Sequence, residues 1–207
     1  MSKSLIVHKY GGTSLGTLER IEHVADRIVK VRKTGVDIVV VVSAMAGETD
    51  KLLKMARSLS KNPARREVDM LLSSGERISA ALLALALQSR CIPALSMTGR
   101  QIGLQTDSTH TRARITNIDA RRARKMLNEN HVIVVAGFQG INEEGDVTTL
   151  GRGGSDTSAV ALAVALGARQ CEIYTDVDGV YTTDPRMVPQ AKRLDVVSYD
   201  EMLEMAS

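Results

Sequence analysis

The chain has 207 residues, of which 43% are hydrophobic, and this is enough for one well-packed globular domain. Its 27 basic and 24 acidic residues give a formal net charge of +3 and are spread along the sequence. This pattern lacks the basic stripe that follows a nucleic-acid backbone, so nucleic acid is not an expected partner. With no Trp, one Phe and four Tyr, the core must be filled by aliphatic side chains, and bases cannot stack on an aromatic platform.

The N-terminal sequence and the two cysteines indicate a cytoplasmic protein. The opening residues MSKSLIVHKYGG contain an apolar run of three, which is too short for a signal-peptide core, and no later stretch is expected to span a membrane. Cys91 and Cys171 are far apart in sequence and lie in apolar surroundings. Both are therefore predicted to be reduced core residues rather than a disulfide or a metal-binding pair.

Short β-branched runs alternate with longer helical patterns, as in a largely parallel sheet that is covered by helices on both faces. Leu5–His8 is predicted as the first strand, and Ile38–Val42, within the run DIVVVVS, as a strand buried on both faces. Between them, the apolar residues of Glu19–Lys33 recur at the spacing of one helix face. These three elements form a βαβ unit, and the predicted fold class is α/β.

Two helices are predicted next. The first extends from about Asp50 to Leu59 and ends near Asn62-Pro63, because proline cannot continue a helix. The second extends from about Arg65 to Gln88. Its half from Ile78 to Leu87 is apolar nearly all round, so we predict that this half is buried rather than amphipathic.

The remaining pattern again alternates between strands and helices. Ala94–Met97 and Val132–Ala136 are predicted as central strands, and the polar stretch Gly99–Asn117 between them is long for a loop, so it is expected to contain extra strand or hairpin structure. The later predicted elements are a helix over about Asp119–Glu129, a helix over Ser155–Leu166, a strand over Cys171–Tyr174, a turn-rich segment around Val180-Tyr181, and a helix in the final SYDEMLEMAS.

The first glycine-rich site is KYGGTSLG, which follows the first predicted strand. Adjacent glycines let the backbone approach a ligand closely, and N–H groups at a helix start attract phosphate, although an ordinary tight βα turn explains the glycines equally well. Lys9 favours the ligand site, because the strand end directs it toward the crevice above the carboxyl edge of the sheet. Neither GxxxxGK[ST] nor GxGxxG is present, so a different phosphate-binding architecture is predicted.

The second glycine-rich site is TTLGRGGSDTSA, directly before a predicted helix. Ser155 or Asp156 could cap that helix, and capping alone accounts for the Ser-Asp pair. Capping does not account for Arg152 followed by two glycines. A planar guanidinium beside exposed backbone can form two parallel hydrogen bonds to a carboxylate or a phosphate, so this site also favours an anionic ligand.

Six short blocks in the chain resemble the aspartate kinases of the amino acid kinase family: KYGGTS, SAMAGETD, SSGERIS, AGFQG, TTLGRGGSDTSA and YTDVDGVYTTDPR. They occur in the same order as in that family and extend over nearly all of the sequence. The resemblance implies a three-layer α/β/α sandwich with a mostly parallel central sheet. It also implies ATP-dependent phosphorylation of the side-chain carboxylate of L-aspartate to 4-phospho-L-aspartate, the first step toward lysine, threonine and methionine, with ATP and Mg²⁺ as cofactors.

The resemblance further implies roles for individual residues. Lys9 and the amides of Gly11 and Gly12 would meet the transferring phosphates, and Asp156 would orient lysines of the site. The residues implied for substrate binding are Ser43, Thr49, Glu76 for the amino group, Arg152 for the α-carboxylate, Gly153, Gly154 and Ser155. The residues implied for nucleotide binding are Lys9, Tyr10, Gly11, Gly12, Ser14, Thr175, Asp176, Tyr181, Thr182, Thr183, Asp184, Pro185 and Arg186. No residue is assigned as a metal ligand.

The implied reaction needs no general base, because a carboxylate with a pKa near ~4 is already ionised at neutral pH. Phosphoryl transfer depends on positioning and on cations, which Lys9 and a magnesium ion would supply. The four histidines are therefore predicted to be solvated or structural, with His8 pointing away from Lys9 across its strand. Glu76 has an alternative role as a helix N-terminal carboxylate, with Ser73 completing a capping box if the helix began there.

Members of the family extend beyond the position of Ser207, first through the rest of the kinase domain, with a lysine that approaches ATP, and then into regulatory ACT domains. Residues 1–207 are therefore interpreted as an incomplete amino acid kinase catalytic domain without the ACT domains, and its own activity is an open question. The resemblance implies a homo-oligomer or association with a regulatory subunit. The alternatives are a relative such as glutamate 5-kinase, N-acetylglutamate kinase or uridylate kinase, and an inactive fragment that serves only in ligand binding or assembly. Recognition of a free amino group by Glu76 argues against an N-acetylated substrate.

Overall fold

The computed structural model describes residues 4–205 of the chain. They fall into two compact units, one ending at Tyr174 and the other beginning at Thr175. The elements of the larger unit are β1 (Leu5–Tyr10), a 3-10 turn (Gly12–Leu15), α1 (Leu18–Arg32), β2 (Asp37–Val42), α2 (Glu48–Leu59), α3 (Arg65–Gln88), β3 (Ala94–Met97), α4 (Gly99–Ile102), β4 (Leu104–Thr106), β5 (Ile115–Ile118), α5 (Arg121–Asn128), β6 (Val132–Ala136), β7 (Gln139–Ile141), β8 (Val147–Thr149), α6 (Gly154–Leu166) and β9 (Gln170–Tyr174).

The central sheet of the larger unit has five strands in the order β3-β6-β2-β1-β9, and all of its strand pairs are parallel. Alternate residues of each strand face opposite layers. Val40 and Val42 pack against α1 and α3, whereas Val39 and Val41 pack against α5 and α6. The predicted three-layer α/β/α sandwich with a mostly parallel sheet is confirmed.

Local sequence explains the first βαβ unit. Thr17 caps α1 by accepting a hydrogen bond from the Arg20 backbone N–H at 3.3 Å, and the face of α1 that carries Ile21, Ala25 and Ile28 is buried against the sheet. The uninterrupted apolar run of β2 matches its burial on both faces. The sequence predictions of β1, α1 and β2 are confirmed, and β1 continues two residues further, through Lys9 and Tyr10.

The C-terminal half of α3 corrects one prediction. Leu83 and Leu87 are buried against the sheet, but on the opposite face Ile78 is 47% exposed and Leu85 is 61% exposed, and Ala81 between them is also exposed. The prediction of burial on all sides was wrong because the sheet covers only one face of a helix that packs on it. The other face remains an apolar stripe on the surface of the described chain.

The same helix qualifies the prediction that no stretch approaches a membrane span. Among the described residues, Arg65–Gln88 is long and apolar enough to cross a bilayer by length and composition, and half of its apolar window is buried inside the protein. Its inner face also carries the buried polar side chains Asp69, Ser73 and Glu76. Burial against a sheet and an inward polar stripe are typical of a core helix.

A second, four-stranded sheet has the order β5-β4-β7-β8 and contains the polar stretch predicted to hold extra structure. Strands β4 and β5 pair antiparallel, as do β7 and β8. The connection between β4 and β5 contains Thr111 at φ 71°, and a left-handed backbone costs a β-branched residue about 1–3 kcal/mol. This loop is therefore held in a shape that its own sequence does not favour.

The cysteines differ from their prediction. Cys91 is exposed and follows the end of α3 with φ 57°, so it is not a core residue. The local turn carries it to the surface, which its apolar sequence neighbours did not indicate. Cys171 on β9 is half-buried, and burial raises the pKa of its thiol, with smaller contributions from the charges of Asp156 and Glu172. Both cysteines are free thiols.

The smaller unit begins at Thr175 and contains a short antiparallel pair, β10 (Val180–Tyr181) and β11 (Arg193–Leu194), followed by α7 (Tyr199–Met205). The turn-rich segment predicted around Val180 is thus one strand of a two-stranded ribbon. The final predicted helix is present over Tyr199–Met205, and the last two residues of that prediction lie outside the described residues.

Candidate functional site

A cleft of about 350 Å³ lies at the carboxyl ends of β1 and β2, between the loops that follow these strands, α3 and the start of α6. This is the edge at which open α/β folds bind ligands. The cleft is lined by residues predicted from sequence: Lys9, Gly12, Ser43, Thr49, Glu76, Gly153, Gly154, Ser155 and Asp156. Both predicted catalytic residues and most of the predicted substrate-binding residues are therefore brought together by the fold.

Lys9 is the main cation of the cleft. It is 7% exposed near the end of β1, and its Nζ lies 2.8 Å from Oδ1 of Asp156 in the first turn of α6. The two groups form an ion pair. An ammonium group has three N–H donors, so Lys9 can pair with Asp156 and still donate to an anionic ligand in the cleft.

Gly12 allows the loops after β1 and β2 to meet. A Cβ at this position would lie 2.7 Å from the carbonyl oxygen of Ala44, closer than real contacts allow. The backbone N–H of Ala46 donates to the Gly12 carbonyl at 3.2 Å, and that of Ser43 donates to the Tyr10 carbonyl at 3.1 Å. Only glycine permits this approach, so the glycine in KYGG is required by packing as well as by any ligand.

Glu76 is a buried carboxylate that opens into the cleft. It is 3% exposed, and its Oε1 accepts a hydrogen bond from the Ala44 backbone N–H at 3.1 Å. Its Oε2 is buried without a hydrogen-bond partner among the described residues. Burial raises the pKa of Glu76 to about 7, because the charged form loses water that one backbone N–H does not replace. The free oxygen is suited to an ammonium group.

The alternative role of Glu76 as a helix-terminal carboxylate is wrong. Helix α3 begins at Arg65, so Glu76 lies in its middle, beyond the first turn in which the helix dipole acts. Ser73 does not form a capping box either, since its hydroxyl donates to the Met70 carbonyl at 2.9 Å. Gly75 explains the depth of the carboxylate: a Cβ there would lie 2.8 Å from the Cβ of Ala44, so glycine lets α3 approach the loop after β2.

The second glycine-rich loop delivers the N-terminus of α6 to the cleft. Gly151 and Gly153 have φ values of 81° and 70°, and Gly153 occupies the N-cap position without a side-chain cap. The prediction that Ser155 or Asp156 caps the helix is therefore wrong, because both lie in its first turn. A helix N-terminus without a side-chain cap presents backbone N–H groups and a positive dipole end to whatever occupies the cleft.

Some predicted residues lie elsewhere. The Arg152 side chain is exposed and does not line the cleft. The Tyr10 ring is buried on the opposite face of β1 from Lys9 and stacks on Tyr174 with ring centroids 4.7 Å apart. The Gly11 N–H donates to the Tyr174 carbonyl at 3.2 Å, and the Ser14 N–H donates to the Gly11 carbonyl at 3.1 Å. Neither Tyr10, Gly11 nor Ser14 lines the cleft.

The predicted nucleotide-binding residues from Thr175 onward belong to the smaller unit. Within that unit a depression of about 720 Å³ is lined by the predicted residues Asp176, Tyr181, Thr182, Thr183, Asp184, Pro185 and Arg186. Arg186 forms a bidentate pair with Asp184, which also accepts from the Arg186 backbone N–H at 2.9 Å. Their role in nucleotide binding stays a prediction.

Several lining residues were not predicted as site residues: Ala44, Met45, Ala46, Gly47, Phe138 and Gly151. A signal for them was present, because they lie in the blocks SAMAGETD, AGFQG and TTLGRGGSDTSA. Phe138 is the only phenylalanine of the chain and has φ 67°, with its N–H bonded to the Ser158 hydroxyl at 3.1 Å. Its place in the block AGFQG was the signal for it in the sequence.

His8 is placed as the strand alternation predicts, on the opposite face of β1 from Lys9. It is fully buried, with Nδ1 3.3 Å from the Tyr10 hydroxyl and Nε2 3.3 Å from Oε2 of Glu172. Burial lowers the pKa of His8 more strongly than the Glu172 charge raises it. The imidazole is therefore a structural group in the layer behind the cleft.

Comparison with known proteins identifies the family to which this fold belongs. The family model described as "Amino acid kinase family" matches residues 4–207. An aspartate kinase of Stutzerimonas stutzeri is 59% identical over 99% of this chain and 50% of its own length. The solved aspartate kinase of Synechocystis is 53% identical with a TM-score of 0.87, covering 98% of this chain and 33% of that protein.

E. coli aspartokinase III, solved in complex with aspartate and ADP, is 30% identical with a TM-score of 0.83, and the match covers 98% of this chain and 56% of that protein. The chain thus spans about half the length of the curated relatives that it matches. The family model covers nearly the whole sequence, and the TM-scores show that the fold of the chain is that of these solved structures. The chain therefore belongs to the amino acid kinase family.

Proposed function

We propose that this chain forms the substrate side of an aspartate kinase, which transfers the γ-phosphoryl group of ATP to the side-chain carboxylate of L-aspartate and releases 4-phospho-L-aspartate and ADP. The observation that carries the proposal is the pairing, in one cleft, of a buried Glu76 oxygen that lacks a partner with the cation Lys9 and a helix N-terminus. Such a cleft complements a molecule with one amino group and two carboxylates. The relative solved with aspartate and ADP supports the same assignment.

Glu76 would receive the α-amino group of aspartate. An ammonium group at Oε2 satisfies the buried oxygen and stabilises the ionised carboxylate, whereas an N-acetylated substrate offers no charge. Ser43 and Thr49 line the same cleft and carry hydroxyl groups for further hydrogen bonds. An amino acid kinase with an N-acetylated substrate is therefore disfavoured by the charge of the site.

The α-carboxylate would meet Arg152, together with the backbone of Gly153, Gly154 and Ser155. The glycine-rich backbone lies at the cleft, and the Arg152 side chain is exposed next to it, free to turn toward a bound carboxylate. A guanidinium binds a carboxylate at two points, which fixes its orientation. This assignment requires Arg152 to change rotamer on binding.

Lys9 would meet the charge that develops on the transferring phosphoryl group, and Asp156 would hold the ammonium of Lys9 in position. A side-chain carboxylate oxygen of aspartate forms a bond to the γ-phosphorus, while the bond from that phosphorus to the β,γ-bridging oxygen breaks and its electron pair leaves with ADP. Since the attacking carboxylate is already ionised, no proton has to be removed. The protein contributes position and charge.

ATP and Mg²⁺ are proposed as the nucleotide and the metal. Residues 4–205 contain no group of three or more His, Cys, Asp or Glu side chains arranged to hold a metal ion. Mg²⁺ usually binds through one or two carboxylates together with substrate phosphates rather than in an all-protein cage. When bound, Mg²⁺ neutralises charge on the phosphates. The nucleotide contacts of Tyr10, Gly11, Gly12 and Ser14, and those of the predicted residues of the smaller unit, are proposed from the family resemblance; the N–H groups of Gly11 and Ser14 already donate to protein carbonyls.

Calorimetry with the 207-residue chain tests the substrate. L-Aspartate should bind, and N-acetyl-L-aspartate, which keeps both carboxylates but lacks the ammonium group, should bind at least tenfold more weakly, as loss of a charged pair implies. Equal binding of the two would remove the role of Glu76 and with it the proposal.

Turnover is tested in a chimera in which this chain replaces the matching half of the Stutzerimonas stutzeri aspartate kinase. Acyl phosphate trapped as the hydroxamate should require both ATP and aspartate. A chimera that folds and binds aspartate but forms no hydroxamate would instead favour a role limited to ligand binding or assembly.

We also propose cytoplasmic biosynthesis toward lysine, threonine and methionine as the setting, and association with a second copy or a regulatory subunit. The support for association is the exposed apolar stripe of α3, formed by Ile78, Ala81 and Leu85. Light scattering compares the chain with Leu85→Gln, which replaces the most exposed large apolar side chain of that stripe. A monomer at all concentrations in both proteins would remove the α3 stripe as the interface.

A further inference from the structure

Asp69 is a fully buried carboxylate on α3 that lies outside the cleft. Its two oxygens accept hydrogen bonds from the Thr111 backbone N–H at 3.0 and 3.1 Å, from the Thr149 hydroxyl at 2.5 Å and from Nδ1 of His110 at 2.7 Å. A carboxylate accepts only, so Nδ1 of His110 carries the hydrogen. One side chain thus joins α3 to the loop between β4 and β5 and to the last residue of β8.

The loop that Asp69 holds is strained. Thr111 has φ 71°, which a β-branched residue rarely adopts, and the N–H of this residue is the group that points at the carboxylate. Ala113, two residues further along the loop, also bonds to β8: its N–H donates to the Thr149 carbonyl at 2.9 Å. Strain of this kind persists only where the surroundings enforce it, and it concentrates at functional sites.

The strained loop packs against the glycine-rich loop of the cleft. A Cβ on Gly151 would lie 3.4 Å from the Thr111 carbonyl oxygen and 3.8 Å from Cγ of Arg112. Gly151 lines the cleft, and it lies two residues after Thr149 and directly before Arg152. On the other side, Asp69 lies two helical turns before Glu76 on the same inner face of α3.

We propose that Asp69 is a positioning residue for aspartate binding: through Thr111 and Thr149 it fixes Gly151–Gly153, which carry the proposed α-carboxylate site, relative to Glu76, which carries the proposed amino site. In this proposal Asp69 sets the distance between the site for the amino group and the site for the α-carboxylate. This inference rests on the proposed function. It assigns to Asp69 the selection of substrate geometry without contact with the substrate.

The test compares three proteins with the wild type. Asp69→Asn keeps the size of the side chain but removes the charge that orders its donors. Thr111→Gly relieves the left-handed strain. The loop of the double variant Asp69→Asn/Thr111→Gly should therefore keep its shape with less help from the hydrogen bonds to residue 69. The matched control is Asp146→Asn, because Asp146 also joins α3 to the β7–β8 hairpin, through Arg66 at 2.8 Å, but at its outer turn.

Two readouts are used on the 207-residue chain. Calorimetry with L-aspartate should give a dissociation constant about tenfold higher for Asp69→Asn, a change of less than twofold for the control, and partial recovery in the double variant. Hydrogen exchange should rise in peptides that cover residues 107–114 and 147–154 in Asp69→Asn, and it should not change in β2. Recovery by glycine at position 111 is not expected of a residue that only adds stability.

The outcomes are distinct. Faster exchange in both segments with unchanged aspartate affinity overturns the positioning role, and so does a double variant that binds no better than Asp69→Asn. Exchange that stays unchanged in Asp69→Asn also overturns it. If the wild type itself binds no aspartate, the proposed function fails, while the exchange data still decide whether Asp69 sets the shape of the glycine-rich loop.

Discussion

Replacing Glu76 by Gln is expected to make the ligand-free protein more stable at alkaline pH while weakening its binding of aspartate. Gln is nearly the same size and its Oε1 still accepts from the Ala44 N–H, so packing is preserved. What changes is charge. Glu76 is 3% exposed and its Oε2 has no partner among the described residues, so ionisation of the carboxyl group is costly in the folded protein.

The sign and size of the change in the free energy of unfolding follow from the pKa of Glu76, which burial raises from 4.5 to about 7. Below pH 4.5 the carboxyl group is protonated in both the folded and the unfolded protein and costs nothing. As pH rises from 4.5 to 7, the unfolded state loses this proton first, so the free energy of unfolding decreases. The difference of about 2.5 pH units corresponds to about 3 kcal/mol above pH 8, and to less than about 1 kcal/mol at pH 5.

Urea unfolding of the wild type and of Glu76→Gln, followed by circular dichroism from pH 5 to 8, measures this directly. The stability advantage of the variant should grow with pH across this range, and calorimetry at pH 8 should show at least tenfold weaker binding of aspartate. An advantage that is the same at pH 5 and pH 8, or a variant that is less stable at pH 8, would refute the reasoning about the unpaired oxygen.

The remaining predictions concern the other walls of the cleft. Lys9→Ala in the chimera should lower hydroxamate turnover on the order of 10²–10³-fold, as loss of one preorganised donor does, and a variant with more than a tenth of normal turnover contradicts its role. Gly12→Ala should lower the free energy of unfolding by about 1–3 kcal/mol, because the new Cβ would lie 2.7 Å from the Ala44 carbonyl oxygen; an unchanged urea midpoint counts against that packing. Arg152→Lys in the chimera should raise the KM for aspartate much more than the KM for ATP, since lysine cannot form the bidentate hydrogen bonds of a guanidinium. Equal effects on both KM values would count against the role proposed for Arg152.

The sequence was sufficient for the elements that rest on local periodicity. The apolar run of β2 and the one-sided face of α1 each describe an environment that a sheet and a helix layer supply, so their prediction needed no knowledge of distant residues. The position of Lys9 at the carboxyl edge of the sheet also follows from strand direction alone. The same alternation along β1 directs the Tyr10 side chain to the face opposite Lys9, where it stacks on Tyr174.

Features that depend on distant partners were not predictable in the same way. The exposed face of α3 depends on which parts of the chain cover it, and its uniform apolar sequence does not report this. Asp69 was not assigned as a site residue because its partners His110 and Thr149 are 41 and 80 residues away. The capping interpretation of Ser155 and Asp156 was wrong because the exact start of α6 is set by the left-handed glycine before it.

The stacked pair of Tyr10 and Tyr174 gives this protein a built-in optical probe. The chain has no tryptophan, and two of its four tyrosines face each other with an interplanar angle of 8°, one on β1 and the other on β9. Parallel rings at this distance in a rigid core couple their electronic transitions, so the near-ultraviolet circular dichroism of the chain should be dominated by this pair. Because β9 is an edge strand of the described five-stranded sheet and pairs there with β1, loss of that signal reports separation of these two strands. Opening of this edge of the sheet can therefore be followed in the unlabelled protein.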